Sequence, residues 1–271
     1  LKKKPCHELV MGMTGSGKTV FSRGALLPAY QEKYVSVIVD TKHDRNDKLW
    51  NLADKTADEL GPVKRFLEKG YHVHYHLKYN SEEDRWDKFD KLCELVMKSS
   101  GKIVTYVNEG GDVMSCIHMP FWYQEMLRKG RSPECWALVE TQRPSTIIHN
   151  NLFNNVDSFW LFRMGTKDRD AVKRWFSKDE LEQIASLPRY GYIWSDGFEY
   201  EAHEPLNMQE LVKYERRHEA VEPKPDSGWR DYVGVSGVAA SIGSTHERRP
   251  DRDGKGRGRG RRGKEISVRL E

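Results

Sequence analysis

Eight residues near the start of the chain, Gly12-Met13-Thr14-Gly15-Ser16-Gly17-Lys18-Thr19, have the spacing of a phosphate-binding loop. The glycines let backbone N–H groups converge on an anion, Lys18 reaches the terminal phosphates of a nucleoside triphosphate, and the Thr19 hydroxyl is a ligand for Mg²⁺. Val20 enters a helix whose N-terminal dipole favours the same anion. The cofactor contacts expected are therefore Gly12 to Val20, with ATP and Mg²⁺ as the implied cofactors. The flanks agree, because a short apolar run, His7 to Met11, precedes the loop and a helix-compatible stretch, Val20 to Leu27, follows it.

Three further segments carry polar residues at the tips of apolar runs. Lys102 to Asp112 reads Lys-Ile-Val-Thr-Tyr-Val-Asn-Glu-Gly-Gly-Asp. This is a Walker B arrangement, with Glu109 placed as the base that polarises an attacking water. The position before it, which holds the metal's water shell, is Asn108 where an acid is usual. An amide accepts from a metal-bound water but adds no negative charge, and Asp112 is the nearby acid that would compensate. Trp136 to Ser145 ends in Thr-Gln-Arg-Pro, which would set Gln142 beside the phosphate loop, in reach of the γ-phosphate or the water. Val37 to Asp44 ends in Asp40-Thr41-Lys42, polar groups at a strand's carboxyl edge, where open α/β folds bind ligands.

Other residues that can do chemistry form no comparable pattern. Cys6, Cys93, Cys116 and Cys135 include no Cys-x-x-Cys pair and read as reduced thiols. His72, His74 and His76 alternate on one face of a strand. With no carboxylate at a matching spacing, they read as a partly exposed sheet face rather than a metal site.

The elements that must position these residues alternate from residue 7 to about 200, the signature of an α/β sheet with helices on its faces. Strands are expected at His7 to Met11, Tyr34 to Asp40, Tyr71 to Leu77, Lys102 to Asn108, Cys135 to Thr141 and Ser158 to Met164. Several are near-continuous apolar runs, as central parallel strands tend to be. Ser81 caps a helix to Lys98, in which Trp86, Phe89, Cys93 and Val96 recur at helical spacing and read as core. Tyr190 to His203 reads as a hairpin turning at Ser195 to Gly197.

Taken in order, Gly-x-x-Gly-x-Gly-Lys-Thr, Val-Asp-x-Lys, an apolar strand ending in Asn-Glu, and Thr-Gln-Arg-Pro resemble the FtsK–HerA superfamily of DNA-pumping ATPases over residues 7 to 200. The resemblance implies a RecA-like P-loop NTPase fold with a mostly parallel central sheet flanked by helices. It further implies a homo-oligomeric ring, hexamer or pentamer, that threads double-stranded DNA and hydrolyses ATP to move it. In such rings a neighbouring subunit completes each site with an arginine, for which Arg131 and then Arg128 are the expected residues, ahead of Arg143 and Arg163. Glu109, Gln142 and Lys18 would be catalytic, and Thr19 and Asn108 would serve the metal. A motor with no membrane helix and no N-terminal barrel domain is most similar to viral genome-packaging ATPases, with a capsid or portal-vertex protein as a further partner. A plasmid-borne or cellular translocase, or a DNA-binding switch of low turnover, are the alternatives.

The chain has 271 residues and a net charge of +4. Residues 246–271 hold ten Lys/Arg against five Asp/Glu, a surplus of five, so the first 245 residues carry about −1. Residues 1–215 are therefore read as the motor domain, and residues 216–271, with a glycine-arginine tract at Gly254 to Gly263, as a disordered basic tail suited to a nucleic-acid backbone. No apolar run approaches a membrane span of roughly 20 residues and no secretory signal follows Leu1, so a cytoplasmic location is expected.

Overall fold

A computed structural model of the chain describes residues 6–42, 52–99, 101–147 and 149–207. The basic tail lies outside the described residues. Among the described residues nine strands form one sheet: β1 (Glu8–Met11), β2 (Val35–Asp40), β3 (Lys55–Ala57), β4 (Val73–His76), β5 (Ile103–Val107), β6 (Cys135–Thr141), β7 (Ser158–Phe162), β8 (Tyr192–Ser195) and β9 (Tyr200–His203). Their spatial order is β3-β4-β2-β5-β6-β1-β7-β8-β9. The first seven in that order run parallel, and β8 and β9 close the sheet as the expected antiparallel hairpin. β1 and β2 are consecutive in the chain yet separated by two strands. The chain thus reverses its winding about β1, and the carboxyl end of β1 becomes the crevice where open α/β folds bind ligands.

Both faces of the central strands are buried, which is why these strands read as apolar runs rather than alternating ones. On one face Val10, Ile38, Tyr106, Leu138 and Trp160 pack with Phe21, Leu26, Leu27 and Tyr30. These last four come from the segment that follows the phosphate loop: α1 (Lys18–Phe21), a π-helical turn (Ser22–Leu26) and α2 (Leu27–Gln31). The helix-compatible stretch Val20 to Leu27 continues in the structure through Pro28 to Gln31. The π turn explains why it continues: Leu27 N bonds back to the Ser22 carbonyl, five residues away, and this local widening accommodates the ring and missing N–H of Pro28.

The opposite face carries the other helices: α3 (Leu60–Glu68), α4 (Glu82–Lys98), α5 (Gly110–Val113), α6 (Phe121–Lys129), α7 (Pro144–Ile147), α8 (Asn150–Phe153), α9 (Thr166–Val172) and α10 (Lys178–Ser186). Val63, Phe89, Cys93, Val96, Tyr123, Met126 and Ile184 from these helices cluster with Leu9, Val39, Val107, Val139 and Leu161 of the sheet. Ser81 caps α4 by accepting from Asp84 N, as its position before an apolar-periodic run predicts. Two elements were not legible in advance. β3 is a three-residue strand on the sheet's edge, and α3, interrupted by Gly61 and Pro62, follows it. Short or interrupted patterns of this kind leave little periodicity to read.

The alternating histidines depart from their expected setting. His74 is fully buried, and its ring contacts that of His76 with nitrogens 3.1 Å apart. Asp40 lies 3.6 Å from His74, and Asp58 lies 3.7 Å from His76. The carboxylate that the local sequence lacks comes from β2, whose Asp40 stands in register with His76.

Candidate nucleotide site

The phosphate loop leaves the carboxyl end of β1, which has β6 on one side and β7 on the other. It is tied to both. Gly12 N donates to the Thr141 carbonyl at 3.3 Å and Met13 N to the Arg163 carbonyl at 2.9 Å. Gly17 adopts φ of 105°, a left-handed conformation that other residues rarely take, and a Cβ there would lie 2.9 Å from the Tyr190 ring. Tyr190 therefore packs over the loop, a contact that its place in a distant hairpin lead-in did not signal.

Lys18 is 4% exposed, and its ammonium donates to the Met13 carbonyl at 3.0 Å. Burial pushes its pKa down, and the carboxylates of Glu140 and then Glu109 pull it back up. A lysine folded over its own loop between two acids has the surroundings of a phosphate-binding lysine.

Glu109 follows β5 and caps α5. A Cβ on Gly110 would lie 2.8 Å from Val139 Cγ1, so only glycine lets this turn lie flat on β6. That close approach sets the Glu109 carboxylate against the end of β6, where it accepts from the Thr141 hydroxyl at 3.2 Å and the Gln142 amide N at 3.4 Å. Burial raises its pKa above the usual carboxylate value, opposed mainly by Lys42. Gln142 Oε1 in turn accepts from the Thr14 hydroxyl at 2.8 Å. Gln142 thus touches both, the phosphate loop through its side chain and Glu109 through its backbone N–H.

Asn108 is 5% exposed, and its Oδ1 has no hydrogen-bond partner among the described residues. A buried acceptor left open beside a phosphate loop fits a position that accepts from a metal-bound water. Thr19 fits as well, since its hydroxyl donates to Glu140 Oε2 at 2.8 Å, leaving oxygen lone pairs for a cation. Glu140 is 1% exposed and also accepts from the Tyr106 hydroxyl. Glu140 belongs to none of the motifs that the sequence presents. Its signal was an acid inside an otherwise apolar strand, which is costly to bury without a purpose. Asp112, the expected compensating acid, instead accepts from Thr41 and faces Arg85 at 3.8 Å.

The two arginines expected to complete a neighbouring subunit's site stand away from the phosphate loop of their own chain. Arg128 ends α6 and pairs with Glu125 at 3.1 Å, while Arg131 pairs with Asp157, just ahead of β7. Both precede β6, whereas the phosphate loop adjoins its far end. A seven-residue strand, about 20 Å long, separates the two edges. Neither arginine therefore joins the phosphate loop of its own chain.

The strand order, the loop on β1, Glu109 beyond β5 and Gln142 beyond β6 together define the P-loop NTPase fold of the RecA-like kind. No protein-family model and no curated protein matches the sequence. Solved structures do share the fold. The genome packaging NTPase from Sulfolobus turreted icosahedral virus 2, in complex with AMPPCP, matches with a TM-score of 0.64 at 16% identity, over 74% of this chain and 98% of that one. The DNA-packaging ATPase from Sulfolobus Turreted Icosahedral Virus matches at 0.59 and 15%, over 76% and 100%. VirB4 of Thermoanaerobacter pseudethanolicus matches at 0.56 and 10%, over 76% and 91%. At these identities the neighbours show the fold, a RecA-like P-loop NTPase, that the motifs imply. Among the described residues no helix is long and apolar enough to cross a membrane.

Proposed function

We propose that this chain is an ATP-driven DNA translocase that hydrolyses ATP to move double-stranded DNA, and that its task is packaging a viral genome. The observation that carries the reading is the contact of Gln142 with both Thr14 and Glu109. A loop that only bound nucleotide would need no such connection to an acid. A motor does, because the state of the γ-phosphate must be communicated to the water-activating group and to the helix beyond Gln142.

In this reading Lys18 draws negative charge from the β- and γ-phosphates, and the loop's N–H groups hold them. Mg²⁺, held by Thr19 with Asn108 behind it, would neutralise phosphate oxygens as charge builds on the leaving group. Glu109 orients the attacking water and takes its proton at the carboxylate, and its burial-raised pKa brings it closer to the pH at which it works. Arg131, or failing it Arg128, acts in a neighbouring subunit's site, since each lies at the edge of the sheet away from its own loop. Both guanidinium groups are more than half exposed, 52% for Arg128 and 63% for Arg131, so each can be reached by a neighbouring molecule. This implies a homo-oligomeric ring, hexamer or pentamer, around duplex DNA, with a capsid or portal-vertex protein as docking partner.

The test is steady-state ATP hydrolysis by the full chain with and without duplex DNA. DNA is expected to stimulate turnover several-fold, and Lys18→Ala to abolish it. ATP bound with no stimulation in the wild type would sink the motor reading. It would favour the second one, a nucleotide-dependent DNA-binding switch of low turnover, for which the neutral side chain at Asn108 is the supporting observation.

A further inference from the structure

We propose that Glu140 supplies the negative charge missing at Asn108, and anchors nucleotide-bound magnesium by orienting the Thr19 hydroxyl. The inference rests on the nucleotide-binding reading above. Its first support is strand register. Tyr106 of β5 stands opposite Leu138 of β6, the pairing runs on to Val107 opposite Val139, and Asn108 and Glu140 are the next residue of each chain segment; Glu140 is itself paired with Val10 of β1. Side chains directly across a parallel pair share a face, and Tyr106, Leu138 and Val10 all pack on the α1 side. Asn108 thus leaves β5 at the level where Glu140 stands on β6, and Glu140 is the one bonded to the phosphate loop, through Thr19. Glu140 stands one strand, about 4.8 Å, nearer to β1 than Asn108 does.

The second support is what Glu140 touches. One oxygen accepts from Thr19, the loop's metal ligand, and the other from Tyr106. Glutamine would satisfy a tyrosine hydroxyl as well and would avoid burying a charge, so a hydrogen-bonding role alone does not account for an acid here. The charge does have a nearby counterpart in Lys18, on which Glu140 acts more strongly than Glu109. Glu140 touches no reacting atom and is a positioning residue: it fixes the rotamer of Thr19 and places negative charge behind the metal position. Outer-shell partners of this sort typically govern metal affinity by ten- to a hundred-fold.

The experiment is a Mn²⁺ titration of the full chain bound to ATPγS, followed by electron paramagnetic resonance, with binding of a fluorescent ATP analogue in EDTA measured alongside. E140Q is expected to weaken Mn²⁺ binding on the order of tenfold, by more than it changes metal-free nucleotide affinity. Returning the charge to β5 in N108D/E140Q is expected to restore most of the Mn²⁺ affinity, which a purely structural role for Glu140 would not produce. Unchanged Mn²⁺ affinity in E140Q, or no recovery in the double variant, overturns the proposal. Should E140Q not fold, E140D keeps the charge but draws it back from Thr19. A several-fold weaker Mn²⁺ affinity supports the proposal, and no change refutes it. Absence of nucleotide binding by the wild type in EDTA and in Mn²⁺ alike would instead remove the nucleotide reading, and this inference with it.

Discussion

Glu109 has oxygens 3.2 Å from the Thr141 hydroxyl and 3.4 Å from the Gln142 backbone nitrogen; burial disfavours its charged form, while Lys42, the Gly111 N–H and the Thr141 hydroxyl favour it. Burial is the larger effect, so its pKa stands above that of an ordinary carboxylate. The proton-accepting form is lost as pH falls through this raised value. ATP turnover should therefore decline on the acid side at a pH above the usual carboxylate range. Glu109→Gln keeps the shape and removes the base. It is expected to cut turnover at least a hundredfold with ATP binding retained, and to abolish that acid limb. Equal turnover in the variant would assign the base elsewhere. The loop and Glu109 were readable because each is a polar residue at fixed spacing from an apolar run. Glu140 was not, since a lone acid within a strand looks like an interruption until its neighbour across the sheet is known.

At the scale of elements, β1 is held at its amino end by His7 as well as by its ladders. His7 is fully buried, its Nδ1 accepts from the Ala137 amide of β6 at 3.1 Å, and the His7 amide donates to Asp157. Burial lowers its pKa from 6.5 to about 4, against the pull of Asp157. The folded state thus keeps His7 neutral while the unfolded chain takes up a proton below about pH 6.5. This part of the stability is fully present above pH 6.5 and is lost progressively as pH falls toward 4. Between pH 7 and pH 5 the loss amounts to about 2 kcal/mol. His7→Asn retains an acceptor for Ala137 and cannot titrate. Urea unfolding at the two pH values should show a smaller acid loss in the variant, though it starts from lower stability at pH 7. Equal losses would mean that His7 already has its unfolded pKa. The same strand illustrates what periodicity conveys. Buried runs announced β1, β2, β5, β6 and β7, whereas β3 and the π turn before Pro28 answer to their neighbours rather than to a local pattern.

At the scale of the whole molecule, the excess positive charge sits in residues 246–271, and the rest of the chain is close to neutral. Deleting those residues is expected to weaken duplex DNA binding and flatten its salt dependence, while basal ATP hydrolysis stays near the wild-type rate. DNA affinity and salt slope unchanged by the deletion would leave the tail another purpose. The sequence by itself determined the phosphate loop, the strand-helix alternation, Glu109 and Gln142 as strand-end residues, and the location of the basic charge. These are local, because spacing, apolar runs and composition survive without a fold. Only the tertiary structure decided which strand ends meet. It put Gln142 against Thr14, brought Asp40 to His74, sent Asp112 to Thr41, placed Arg128 and Arg131 at the far edge, and set Glu140 beneath Thr19. Each of these depends on strand order and register, which are fixed by burying both faces of the sheet together and are carried by no single segment of the chain.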